Sequence, residues 1–76
     1  MGLPLEEAKR IAREIVEEFG HKGWTATVHG TENEVVVTSA DNEFGFTWKL
    51  PMFAKIVKTW SFTISEHEGK IVLIIW

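Results

Sequence analysis

Residue types able to carry chemistry are few and scattered in this chain. Histidines stand at His21, His29 and His67, and no two share a helix face or the short spacing that grips a metal ion. His21 and His67 fall in expected turns and His29 ends an expected strand on its polar side, so solvated imidazoles are the simplest reading. His67 with Glu66 or Glu68 is the nearest approach to a metal site. The carboxylates gather in the first helical segment and in loops, as in Glu6-Glu7 and Glu17-Glu18. None sits at a core-facing strand position, where burial would raise a carboxyl pKa into the range useful for acid–base work. There is no nucleophile elbow, no glycine-rich phosphate loop and no Ser/His/Asp set supported by the pattern. No catalytic residue, cofactor or metal site is expected, and the chain is read as non-enzymatic.

What the chain has in quantity is apolar surface. Ile71-Val72-Leu73-Ile74-Ile75-Trp76 is apolar without interruption. A strand sends alternate side chains to opposite faces. A half-exposed antiparallel strand alternates apolar with polar, and this one does not, so both of its faces need cover. In 76 residues that cover is a second chain or a folded-back segment.

Composition narrows the classes. The length fits one domain, and a core of this size gains from regular packing or from oligomerisation. With no cysteine, disulfides and thiolate metal sites are excluded. A net charge of −3 argues against binding nucleic acid through phosphate contacts. No apolar run approaches the ~18 residues of a membrane span. The first residues are acidic and lead into a helix, unlike a signal peptide, and no compartment is indicated. Four Trp and five Phe with no Tyr point to a core built from large apolar side chains.

The elements follow from periodicity. Pro4 to Phe19 reads as a helix, with Pro at its start, Glu6 and Glu7 at the positive end of the dipole and Gly20 at the stop. Leu5, Ala8, Ala12, Ile15, Val16 and Phe19 form its apolar face with Ile11 flanking. Glu6–Arg10, Arg10–Glu14 and Arg13–Glu17 are i,i+4 charge pairs on the other side. Strands are expected at 24–29, 35–40 and 43–50, joined by two-residue loops at Glu32-Asn33 and Asp41-Asn42. In that register Val28 faces Val37, and Val35, Val37 and Ser39 face Trp48, Phe46 and Phe44. Gly45 in the third strand suggests a bulge or bend. Residues 51–58 fit a short helix beginning at Pro51 better than an irregular or bulged strand. Thr59 to Ser65 alternates as a strand, and a three-residue loop His67-Glu68-Gly69 pairs Ile64 with Val72, Phe62 with Ile74 and Trp60 with Trp76. The connection at 50–58 leaves the last hairpin beside strand three or beside strand one.

The helix with its Pro start, Gly stop and repeated charge pairs, the short Glu-Asn and Asp-Asn loops and the mid-strand Gly45 resemble computationally designed α+β proteins. In these one helix packs on a curved antiparallel sheet, a cystatin-like arrangement. The resemblance implies a scaffold without natural activity, and it makes a homodimer or a cavity plausible. The Gln-x-Val-x-Gly loop of true cystatins is missing and Pro51 is followed by Met52, so protease inhibition is not implied.

The expected fold is therefore α+β, an N-terminal helix on a curved, bulged antiparallel sheet of about five strands in one domain. The expected assembly is a homodimer through the outer face of the last hairpin, using Ile71, Leu73, Ile75, Thr63, Ser61 and Val57. The alternative is a small apolar ligand in a cavity lined by Trp24, Phe44, Phe46, Trp48, Trp60 and Phe62, although no polar group converges there to orient one.

Overall fold

A computed structural model describes residues 2–20, 23–39, 43–68 and 70–76. The elements run α1 (Leu5–Phe19), β1 (Thr25–His29), β2 (Glu34–Thr38), α2 (Glu43–Val57), β3 (Phe62–His67) and β4 (Lys70–Ile75). The fold is α+β, with a four-stranded antiparallel sheet in the order β1-β2-β4-β3. α1 lies over β1 and β2, and α2 lies beside α1 and over β4.

α1 forms where local propensity, patterning and charge agree. Pro4 holds the N-cap position and its carbonyl accepts from the Ala8 amide. Ala8, Ile11, Ile15 and Phe19 are buried, while Leu5 and Val16 are 46% exposed. The buried stripe is thus centred on Ile11 and Ile15, a rotation from the expected face, because α1 packs against both the sheet and a second helix. The Arg10–Glu14 and Arg13–Glu17 pairs form, at 2.8 and 3.8 Å. Arg10 takes Glu7 as its second carboxylate, where Glu6 was expected.

The first hairpin keeps its expected faces but shifts its register by two residues. Val28 lies opposite Val35 and Ala26 opposite Val37, so residues 30–33 form the loop. Gly30 and Asn33 both have positive φ, at 73° and 55°, which suits these two residue types. The Asn33 side chain also donates to the Leu3 carbonyl at 3.0 Å, and the Leu3 amide donates to the Glu32 carbonyl at 3.2 Å. The loop therefore anchors the segment that enters α1. Gly2 passes so close to the Glu32 backbone that a Cβ there would collide with its carbonyl.

The expected third strand, with its bulge at Gly45, is instead the first half of α2, and the sheet has four strands. The reason is topological. β2 and β3 are both antiparallel to β4, so they run parallel to each other. Joining parallel strands requires a crossover of a dozen or more residues, usually helical. β2, α2 and β3 make such a unit, with β4 inserted between the two strands. Pro51 lies inside α2 rather than at its start. It has no amide for the Thr47 carbonyl, so one helical hydrogen bond is lost there. α2 ends at Val57, with Lys58 in the left-handed region (φ 60°) and its amide donating to the Ala54 carbonyl at 2.9 Å. The expected Asp41-Asn42 loop lies outside the described residues.

The second hairpin differs by one residue, and that changes its faces. His67 pairs with Lys70, leaving a two-residue loop, and Ile64 lies opposite Leu73 and Phe62 opposite Ile75. Glu68 has φ 53°, a left-handed turn conformation. The core now joins Leu3, Ile11, Ile15, Phe19, Trp24, Val35, Val37, Phe53, Ile56, Val57, Ile71, Leu73 and Ile75. Trp24 packs on Phe19 with centroids 4.5 Å apart, and Phe53 meets Phe62 edge-on at 5.1 Å.

Candidate assembly face

Both helices lie on one side of the sheet, so the other side carries the remaining strand residues. Alternation assigns Thr25, Thr27 and His29 of β1 to that side, with Glu34, Val36 and Thr38 of β2. Lys70, Val72 and Ile74 of β4, the following Trp76, and Thr63 and Ser65 of β3 complete it. In register, Val36 lies beside Ile74 and Thr38 beside Val72. The result is an apolar patch on the two central strands, bordered by threonine and serine on the edge strands.

Side-chain hydrogen bonds set this face in place. The Trp76 indole Nε1 donates to Thr63 Oγ1 at 3.1 Å, and its amide donates to the Ser61 carbonyl at 2.9 Å. The indole is thereby fixed while 49% of the residue stays exposed. Ser65 Oγ donates to the Val72 carbonyl at 3.4 Å, and Thr27 Oγ1 lies 2.7 Å from His29 Nε2. A depression of about 390 Å³ lies at this end of the face, lined by Gly2, Glu32, Glu34, Thr63, Ile74 and Trp76.

Three residues expected at a dimer interface, Ile71, Leu73 and Ile75, are in the core of the chain itself, at 3%, 0% and 0% exposure. Val57, also expected there, is buried at the end of α2. Thr63 is on the outer face, and Ser61 is exposed just before β3. The correction has one cause. The two-residue loop turns β4 over relative to the three-residue expectation, because a one-residue slip moves every side chain to the opposite face. Val72, Ile74 and Trp76, expected inside, are therefore outside. The signal was present in Glu68-Gly69, a pair suited to a two-residue turn.

Of the six aromatics expected to line a cavity, Trp24, Trp60 and Phe62 have described side chains. Trp24 is buried against Phe19, with Lys49 Nζ 6.0 Å from its ring centroid. Trp60 and Phe62 are partly buried at the core margin. Phe44, Phe46 and Trp48 belong to the backbone of α2, so the period-two reasoning that put them on one concave face does not apply. Their side chains lie outside the described residues, as do His21 and the His67 side chain.

Among the described residues, α1 carries a linked set of charges. The Arg10 guanidinium binds Glu7 and Glu14 and donates to the Ile56 carbonyl at 3.1 Å, tying α1 to the end of α2. Its hydrogen bond to Glu7 holds that carboxyl below the usual range. Among the described residues no three His, Cys, Asp or Glu side chains are grouped so as to hold a metal ion, and no helix is long and apolar enough to cross a membrane.

Comparison of the chain with protein-family models, with curated proteins and with solved structures finds no match.

Proposed function

We propose that this chain is a designed, non-catalytic scaffold that assembles as a homodimer through the outer face of its sheet. The observation that carries the reading is the patch Val36, Val72, Ile74 and Trp76. It occupies the two central strands on the side away from both helices. The agreement of charge pairs and apolar patterning in α1 supports design.

The occupant is a second copy because the face complements itself. A two-fold axis in the plane between two stacked sheets, running across the strands, reverses strand direction. It sets Ile74 of each copy over Val72 of the other. Glu34 stands at one end of the face and Lys70 at the opposite end. The same axis brings Glu34 of each copy beside Lys70 of the other, and the threonine and serine borders carry no charge to repel. Such an arrangement is isologous, as dimers commonly are, and suits aligned sheet packing.

Light scattering on a sizing column tests it. At low micromolar concentration the chain is expected at twice the mass of a single copy, and Ile74→Lys at the mass of one copy with its helical signal intact. Glu34→Lys should weaken the dimer about fivefold, about 1 kcal/mol, and Lys70→Glu in the same chain should restore it. A wild-type mass of one copy at every concentration overturns the reading.

A second reading rests on the depression beside Trp76, whose apolar floor of Ile74 and the indole suits a small apolar ligand. A blue shift of Trp fluorescence on titration with such ligands, lost in Ile74→Lys, would favour it over the dimer.

A further inference from the structure

The free edge of the sheet at β3 is a second surface, distinct from the outer face. Its geometry follows from two hydrogen bonds. The Trp76 amide donates to the Ser61 carbonyl, and the Ser39 amide donates to the Ile71 carbonyl. Directly opposed antiparallel residues alternate between pairs that exchange hydrogen bonds and pairs that do not. Residues 61, 63, 65 and 67 therefore bond to β4. The amides and carbonyls of Phe62, Ile64 and Glu66 point away from the sheet.

Among the described residues this edge lacks the usual protection. β3 contains no proline or lysine, and Ile64, on the helix side of the sheet, is 46% exposed. Glu66 is its one inward-facing charge, at the strand's far end and exposed. Edges left in this state are templates for another strand. The other edge differs: β1 is covered by α1, and by the same alternation only Ala26 and Val28 direct backbone groups outward.

We infer that β3 pairs antiparallel with β3 of a second copy about a two-fold axis at Ile64, joining two four-stranded sheets into one. The segment is self-complementary in that register. Ile64 lies opposite Ile64 of the second copy, so both exposed side chains are covered together. Phe62 lies opposite Glu66, with Glu66 free to turn its carboxylate to water. Thr63 lies opposite Ser65, a neutral pair. The outward groups of Phe62, Ile64 and Glu66 then all find partners across the axis. This pairing does not depend on the face-to-face dimer, and its test is made in the Ile74→Lys chain so that the two are separable.

The measurement is amide hydrogen exchange by NMR on that chain at low micromolar and at millimolar concentration. The amides of Phe62, Ile64 and Glu66 are expected to slow by about tenfold or more at the higher concentration. Those of Val72 and Leu73, which bond within the sheet, stay protected at both. Ile64→Pro removes an outward amide and no bond to β4, a position where an edge tolerates proline. It should abolish the concentration dependence at Phe62 and Glu66. Ile64→Lys, which keeps the strand's amide, should do the same if proline disturbs β3. Equal exchange of the three amides at both concentrations overturns the inference. So does protection appearing at Ala26 and Val28, which would mark an open edge-to-edge polymer instead of a closed pair.

Discussion

The amide of Trp76 donates to the carbonyl of Ser61 at 2.9 Å, and this bond belongs to the ladder that decides which half of β4 is interior. With Ser61 opposite Trp76, Leu73 lies at 0% exposure in the core while its neighbour Ile74 faces outward. The inner and outer faces of this strand are almost equally hydrophobic, so the register of one hairpin selects between them.

That assignment predicts opposite outcomes for neighbouring substitutions. Leu73→Ala should destabilise the fold by about 2–5 kcal/mol, from lost burial and the cavity left behind. Ile74→Thr should stay within about 1 kcal/mol, since threonine keeps the strand preference on an open face. Urea denaturation at low protein concentration checks both, and a greater loss in Ile74→Thr would reverse the faces.

Acid should weaken the tie between the helices. The Arg10 hydrogen bond depresses the folded-state pKa of Glu7 below its ordinary value of 4.5. A depressed carboxyl contributes stability that is fully present above the unfolded value and is lost as pH falls through the folded value. Glu7→Gln should therefore show a shallower loss of stability between neutral pH and about pH 3 than the parent chain. Denaturation midpoints at the two pH values give the comparison, and identical slopes would show that the pair contributes nothing to folding.

Lys58 ends α2 with φ 60°, a conformation that costs an L side chain and suits glycine. Lys58→Gly should raise stability by about 0.5–1 kcal/mol, with glycine now at the helix-terminating position. A higher thermal midpoint is the expected result, and a lower one would mean that the lysine side chain contributes more than its backbone strain costs.

Much of the architecture was legible in the chain. α1 was plain because its apolar spacing, flanking Pro4 and Gly20 and charge pairs all favour one structure, and no distant contact has to override them. The faces of the first hairpin were plain too. Ala26 and Val28 alternate with Thr25, Thr27 and His29 along β1 and face Val37 and Val35 of β2, and a register shift of two leaves faces unchanged. The threonine-rich side of β1 was correctly set against its apolar side for the same reason.

Tertiary structure decided the rest. Residues 43–50 alternate like a strand, yet β4 lies between β2 and β3, and linking those parallel strands calls for a helical crossover. A period-two pattern is a local signal, while strand order is set by which pairings close one core over Leu73, Val37 and Phe53. The outer-face residues of β4 were misplaced for a related reason. In Ile71–Trp76 both faces are apolar, so nothing local opposes a one-residue slip. Only the packing of Ile71, Leu73 and Ile75 beneath α1 and α2 separates the core of this protein from the outer face of its sheet.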